Sequence, residues 1–80
     1  MSQSEIFKKE LLLRLGNNIR DLRMQQGVSQ EELAFKIDSA RNFIGCIERA
    51  EKSPTIFTLF RIAQALNVKL EVLVKDIDRF

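Results

Sequence analysis

Arg41, Asn42, Cys46 and Arg49 are the residues whose types and spacing best suit chemistry. At about 100° per helical residue they share one face with Gly45, while Ile44 and Ile47 turn to the opposite side and Phe43 falls at the margin. A helix that is apolar inward and small or polar outward can enter a groove without bulk. An arginine there offers a two-donor fork matched to O6 and N7 of guanine, and an asparagine amide matches the edge of adenine. Arg41, Asn42, Phe43 and Cys46 are therefore the expected base contacts. Plainer alternatives stand beside them: Arg41 as a solvated surface arginine, Asn42 as a helix-start cap or a phosphate ligand, Cys46 as a small helix residue. Arg49 and Lys52 are expected on phosphate rather than on bases.

Other chemistries lack their residues. The chain has no histidine and one cysteine, Cys46, which excludes His-based proton transfer, a histidine metal ligand, a zinc site and an internal disulfide. No glycine-rich phosphate loop occurs. The carboxylates alternate with lysine and arginine, as on solvated helix faces. No catalytic residue, metal or cofactor is expected, and the chain reads as a non-enzyme. Thirteen basic against 11 acidic residues leave a net charge of +2. That tells against a nonspecific polycation, so any charge that binds DNA must be local. The longest apolar runs, Leu11-Leu12-Leu13 and Val72-Leu73-Val74, are too short to cross a membrane. A lone cysteine and no signal-like N-terminus fit a reducing cytoplasm.

These residues need elements to hold them. The 80 residues suffice for a single domain, 1–80, with one proline and three glycines, so long helices are possible. Ser4 is a candidate cap for a first helix in which Leu12, Leu15, Ile19 and Leu22 recur at helical spacing. Gly16 in that run is either a tolerated cost or a point of close approach by another helix. Gly27 suits the left-handed residue that ends the helix. Ser29-Gln30-Glu31-Glu32 is a capping box that starts a short second helix with Leu33, Ala34 and Ile37 on one face. A turn at Asp38-Ser39-Ala40 leads to a third helix from about Arg41 to Arg49. Thr55 caps a fourth, with Ile56, Leu59, Ile62, Ala63 and Leu66 inward and Asn67 at its end. A fifth carries Leu70, Leu73, Val74 and Ile77 on one face. No strand pattern competes, so the expected fold class is all-α.

Gly27 to Leu66 thus describes two short helices joined by a tight turn after a long helix, a helix-turn-helix at about 29–49. In that arrangement the first of the pair anchors on phosphate through its N-terminus, where Ser29 and Gln30 lie, and the second lies in the major groove. The sequence resembles the lambda-repressor-like, or Xre-type, helix-turn-helix family over about residues 15–75. The matching words are Ile19-Arg20-Asp21-Leu22-Arg23, Gly27-Val28-Ser29-Gln30-Glu31-Glu32-Leu33-Ala34, Ile44-Gly45-Cys46-Ile47-Glu48-Arg49, and Pro54 to Val68. Within the family, Phe43-Ile44-Gly45-x-Ile47-Glu48-Arg49-x-Glu51 looks like the controller proteins of restriction–modification systems. The resemblance implies a compact five-helix domain, a phosphate contact by Gln30, and an Arg23–Glu48 salt bridge tying the first helix to the recognition helix. Glu48 is then a strut and not an acid catalyst. Ala40 stands where the family caps the recognition helix, Asp38 where it has a turn glycine, Ala50 where a glycine follows Glu-Arg, and Lys69 at the cap of the last helix. The first two are expected to loosen the start of the recognition helix by roughly 1 kcal/mol.

The expected function is a transcription regulator that binds a two-fold symmetric operator in double-stranded DNA as a homodimer, without a small-molecule ligand or a membrane, and with RNA polymerase left open as a further partner. An antitoxin, a phage-type repressor, or an interaction module that has lost DNA binding are the alternatives. The helices at about 55–77 carry more apolar groups than one small core covers, which leaves Phe57, Phe60, Val72 and Phe80 for a dimer interface. The alternative for some of these is packing against Ile6 and Phe7 within the monomer.

Overall fold

The structure, a computed structural model, describes all 80 residues. Five helices follow one another: α1 (Gln3–Gln25), α2 (Gln30–Lys36), α3 (Phe43–Glu48), α4 (Ile56–Ala65) and α5 (Leu70–Leu73), with no strand.

Side-chain caps start three of them. Ser2, not Ser4, caps α1, because Ser2 has Glu5 three residues on to complete the reciprocal bond whereas Ser4 has Phe7. Ser29 and Glu32 form the same box at α2, and the Thr55 hydroxyl accepts from the Thr58 amide at 3.1 Å. Neither Asn42 before α3 nor Lys69 before α5 makes a side-chain cap.

The first four helices stop in one way. Gly27, Asp38, Ala50 and Asn67 follow their C-caps with φ of 69°, 54°, 60° and 57°. The next amide then returns to an orphan carbonyl, Val28 to Arg23, Ser39 to Ala34, Glu51 to Cys46 and Val68 to Ala63, at 3.1, 2.9, 2.8 and 2.9 Å. Asp and Asn tolerate this conformation through short polar side chains, but at Ala50 the Cβ costs about 1 kcal/mol.

Leu12, Leu15 and Ile19 of α1 meet Leu33, Ala34, Ile37, Ile44, Ile47, Leu59, Ile62, Ala63, Leu66 and Leu73 in one core. Ile56 does not join it and is 66% exposed. Helical side chains lean toward the N-terminus, so this first residue of α4 overhangs the end of its own apolar stripe. The fifth helix is also shorter than its pattern suggests. Beyond Leu73 the chain continues in turns, with Ile77 N–H to Val74 O at 3.4 Å and Asp76 left-handed at φ 59°. Val74 and Ile77 still pack on the core, half-buried. The Asn18 amide holds this segment by donating to the carbonyls of Leu73 and Lys75, each at 2.9 Å. Arg14 donates to the Arg79 carbonyl.

Candidate nucleic-acid interface

A buried carboxylate locks the three elements that carry the candidate contacts. Glu48, at the end of α3, has a side chain only 3% exposed. It accepts Arg23 Nε at 2.7 Å and Nη2 at 3.0 Å from α1, and Gln30 Nε2 at 2.9 Å from the start of α2. Arg23 Nη1 donates to the Val28 carbonyl at 2.9 Å, so the same guanidinium also holds the α1–α2 turn. The hydrogen bond to Glu48 raises the Arg23 pKa further above the ordinary arginine value. Every buried polar atom of this network has a partner. Glu48 therefore sets the position of α3 against both other helices.

Gly45 is buried on α3 beneath Gln30 and Arg49. A Cβ there would lie 2.9 Å from Arg49 Nη1 and 3.2 Å from Gln30 Oε1. The missing side chain lets the Gln30 amide and the Arg49 guanidinium converge above the helix. Arg49 also pairs with Glu51, Nε to Oε2 at 2.7 Å, and its Nη2 lies 3.9 Å from Cys46 Sγ. The Arg49–Glu51 hydrogen bond raises the arginine pKa and lowers that of the glutamate. Both side chains are exposed, so a phosphate can take the place of Glu51.

α3 starts two residues later than the sequence pattern suggests. Arg41 and Asn42 lie in a turn, and the Phe43 amide returns to the Ala40 carbonyl at 3.0 Å. Ala40 has no side chain to cap a helix, which is the physical reason for the late start. Arg41 is 82% exposed and leans on Glu31 of α2, Nη2 to Oε2 at 3.1 Å. Asn42 is exposed and makes no cap bond. Phe43 is half-buried and packs on the core from one side of α3. Cys46 is half-buried on the outward face. Lys52 is exposed and forms no ion pair. Ser29 exchanges hydrogen bonds with Glu32 at 3.0 and 3.2 Å, which leaves its hydroxyl proton for a phosphate. The Glu31–Arg41 and Gln30–Glu48 contacts were not legible in the sequence. They join residues 10 and 18 positions apart.

The four apolar candidates for a dimer surface are all exposed and have different neighbours. Phe57 and Phe60, 65% and 48% exposed, lie one turn apart on the outer side of α4. Phe60 borders a concavity shared with Leu70. Val72 borders another with Asn18 and Leu22 of α1. Phe80 turns away to meet Phe7 with ring centroids 5.2 Å apart, under the Arg14 guanidinium. The monomer thus engages Phe80 through a contact with α1. No helix is long and apolar enough to cross a membrane.

The helix-turn-helix family (HTH_3) matches residues 19–73. The chain is 34% identical over 64 residues to the HTH-type transcriptional regulator y4dJ of Sinorhizobium fredii, covering 80% of this chain and 83% of the relative. It is 38% identical over 60 residues to the control protein C.SmaI of Serratia marcescens, covering 75% and 71%. The crystal structure of the restriction–modification controller protein C.AhdI from Aeromonas hydrophila superimposes with a TM-score of 0.76 at 32% identity, over 78% of this chain and 94% of that one.

Proposed function

Because the chain belongs to the helix-turn-helix (HTH_3) family of DNA-binding transcription regulators, we propose that it reads a two-fold symmetric operator as a homodimer, in the manner of a restriction–modification controller protein. The observation that carries this is the buried Arg23–Glu48–Gln30 network. It fastens α3, with Cys46 half-buried on its outer side, between exposed Arg41 and Asn42 at one end and exposed Arg49 and Lys52 at the other. Arg41 and Asn42 reach the base edges, Cys46 meets the groove wall, and Ser29, Gln30, Arg49 and Lys52 hold phosphate. No cofactor is needed, and the protein acts in the cytoplasm.

Selection of bound sequences from a random pool tests the DNA assignment directly. Arg41→Ala should cost about 1–3 kcal/mol per half-site on the selected operator and relax the preference at one base pair of each half-site. Equal weakening on every sequence would reduce Arg41 to a backbone contact. Failure of the unmodified protein to select any sequence would favour an interaction module.

The dimer is supported by Phe57 and Phe60, two exposed aromatics on one face of α4 that a monomer leaves in water. A two-fold interface covers them on both subunits and can set two recognition helices roughly 34 Å apart, one turn of DNA. Sedimentation equilibrium at micromolar concentration should give a dimer, and the full operator should bind far more tightly than one half-site. A strict monomer with equal affinity for both would rule this out.

A further inference from the structure

The first part of α1 lies outside the family match, which begins at residue 19, yet it runs beside the end of the recognition helix. The two cross at Gly16, where a Cβ would lie 2.6 Å from the Glu48 carbonyl oxygen and 2.8 Å from that of Ile47. Basic residues of α1 flank the crossing on both sides. Toward the C-terminus, Arg20 lines a concavity with Arg23, Met24, Gln30, Glu48 and Arg49. Toward the N-terminus, Lys8 and Lys9 line a second with Met1, Glu5, Leu12 and Ala50. At about 100° per residue Lys9, Gly16 and Arg20 fall on one stripe of α1. Both concavities therefore border the segment that projects Arg49 and Lys52.

The charges in these concavities are unequally matched. Arg23 is committed to Glu48 and Arg49 to Glu51, whereas Arg20 forms no ion pair. Glu5 is held in the capping box by Ser2, its Oε1 accepting from the hydroxyl at 3.0 Å. Lys8 and Lys9 have no ion-pair partner. From Lys9 to Arg20 the helix rises roughly 16 Å, more than the major-groove width of about 12 Å. Unmatched cations in this row, continuous with Gln30 and Arg49, suit the spaced anionic charges of a nucleic-acid backbone.

We propose that α1 is a second backbone-gripping edge, with Arg20 on one side of the Gly16 crossing and Lys8 and Lys9 on the other, each taking DNA phosphate. This rests on the DNA-binding reading of α3 and extends the footprint along α1. These side chains hold the duplex in register and carry no sequence information.

Arg20→Gln and the double variant Lys8→Gln/Lys9→Gln, each in the full chain, test it. Binding is titrated against potassium chloride on the selected operator and on a random duplex of equal length. Arg41→Ala serves as the comparison that alters preference. Per bound dimer, the log–log salt slope should fall by roughly two for Arg20→Gln and roughly four for the lysine pair, equally on both duplexes. The ranking of operator variants and the thermal midpoint should stay unchanged, since none of the three residues makes an ion pair. Wild-type slopes in both variants, with the unmodified protein binding its operator, would overturn the role of α1 alone. Absence of any DNA binding by the unmodified protein would overturn the α3 assignment and this proposal with it.

Discussion

Arg23→Ala is expected to destabilise the fold by about 3–5 kcal/mol, the cost of leaving one member of a buried ion pair without its partner. Glu48 is the member left behind. Its side chain is 3% exposed and that of Arg23 11%, so neither is well placed to exchange its partner for water. Without the guanidinium, the carboxylate keeps only the Gln30 amide at 2.9 Å. A domain of this size has stability on the order of 0.1 kcal/mol per residue, so the loss takes a large share of the whole. The pair itself is not a large net source of stability, because both charges had to leave water. Arg23→Met with Glu48→Met should therefore recover much of what Arg23→Ala loses, although the link from α1 to α3 goes with it. Urea unfolding of Arg23→Met, Glu48→Met and the double variant should show non-additivity. Additive losses would mean that the two groups do not act as a pair. Because the Glu48 bond raises the Arg23 pKa above its unfolded value, its stabilisation is fully present below the ordinary arginine range and lost only as pH rises through the still higher folded value. Arginine titration then contributes no pH dependence near neutrality.

Gly16→Ala should destabilise the protein and weaken operator binding beyond what the lost stability explains. The new Cβ would meet backbone, 2.6 Å from Glu48 O, 2.8 Å from Ile47 O and 2.9 Å from Glu48 C. A backbone carbonyl cannot rotate aside, so α1 and the end of α3 must separate. Such overpacking costs about 1–3 kcal/mol, against about 1 kcal/mol gained in helix propensity. Gly16→Val adds two methyl groups at the same contact and should fall at or beyond the upper end of that range. The displaced segment is the one that carries Glu48, Arg49 and the path to Lys52, so specific binding is the more sensitive readout. Thermal unfolding and affinity for the selected operator, measured on folded protein, separate the two effects. A Gly16→Ala protein more stable than the parent and unchanged on its operator would show that the helices do not meet as closely as described.

Features that depend on a few neighbouring residues were legible in advance. Ser29 with Glu32 and Thr55 with Thr58 satisfy amides within one turn, so a capping motif states its own structure. Gly27 and Asn67 end helices because their backbone tolerates positive φ wherever they sit. The spacing of Leu12, Leu15, Ile19, Leu33, Ile44, Ile47, Leu59, Ile62 and Leu66 marks a buried face because helical period depends on the chain alone. Gly16 was legible only as a choice between a tolerated cost and a close approach. The carbonyls of Ile47 and Glu48 decide it, more than 30 positions away. Tertiary packing likewise put Phe43 against the core, turned Phe80 onto Phe7, left Ile56 in water and set Glu31 beside Arg41. Local chemistry determined which segments became helices and where most of them stop. Which side chains are left to meet a nucleic acid was decided by partners distant in the chain, because burial and ion pairing depend on neighbours in space, and these exist only once the helices have packed.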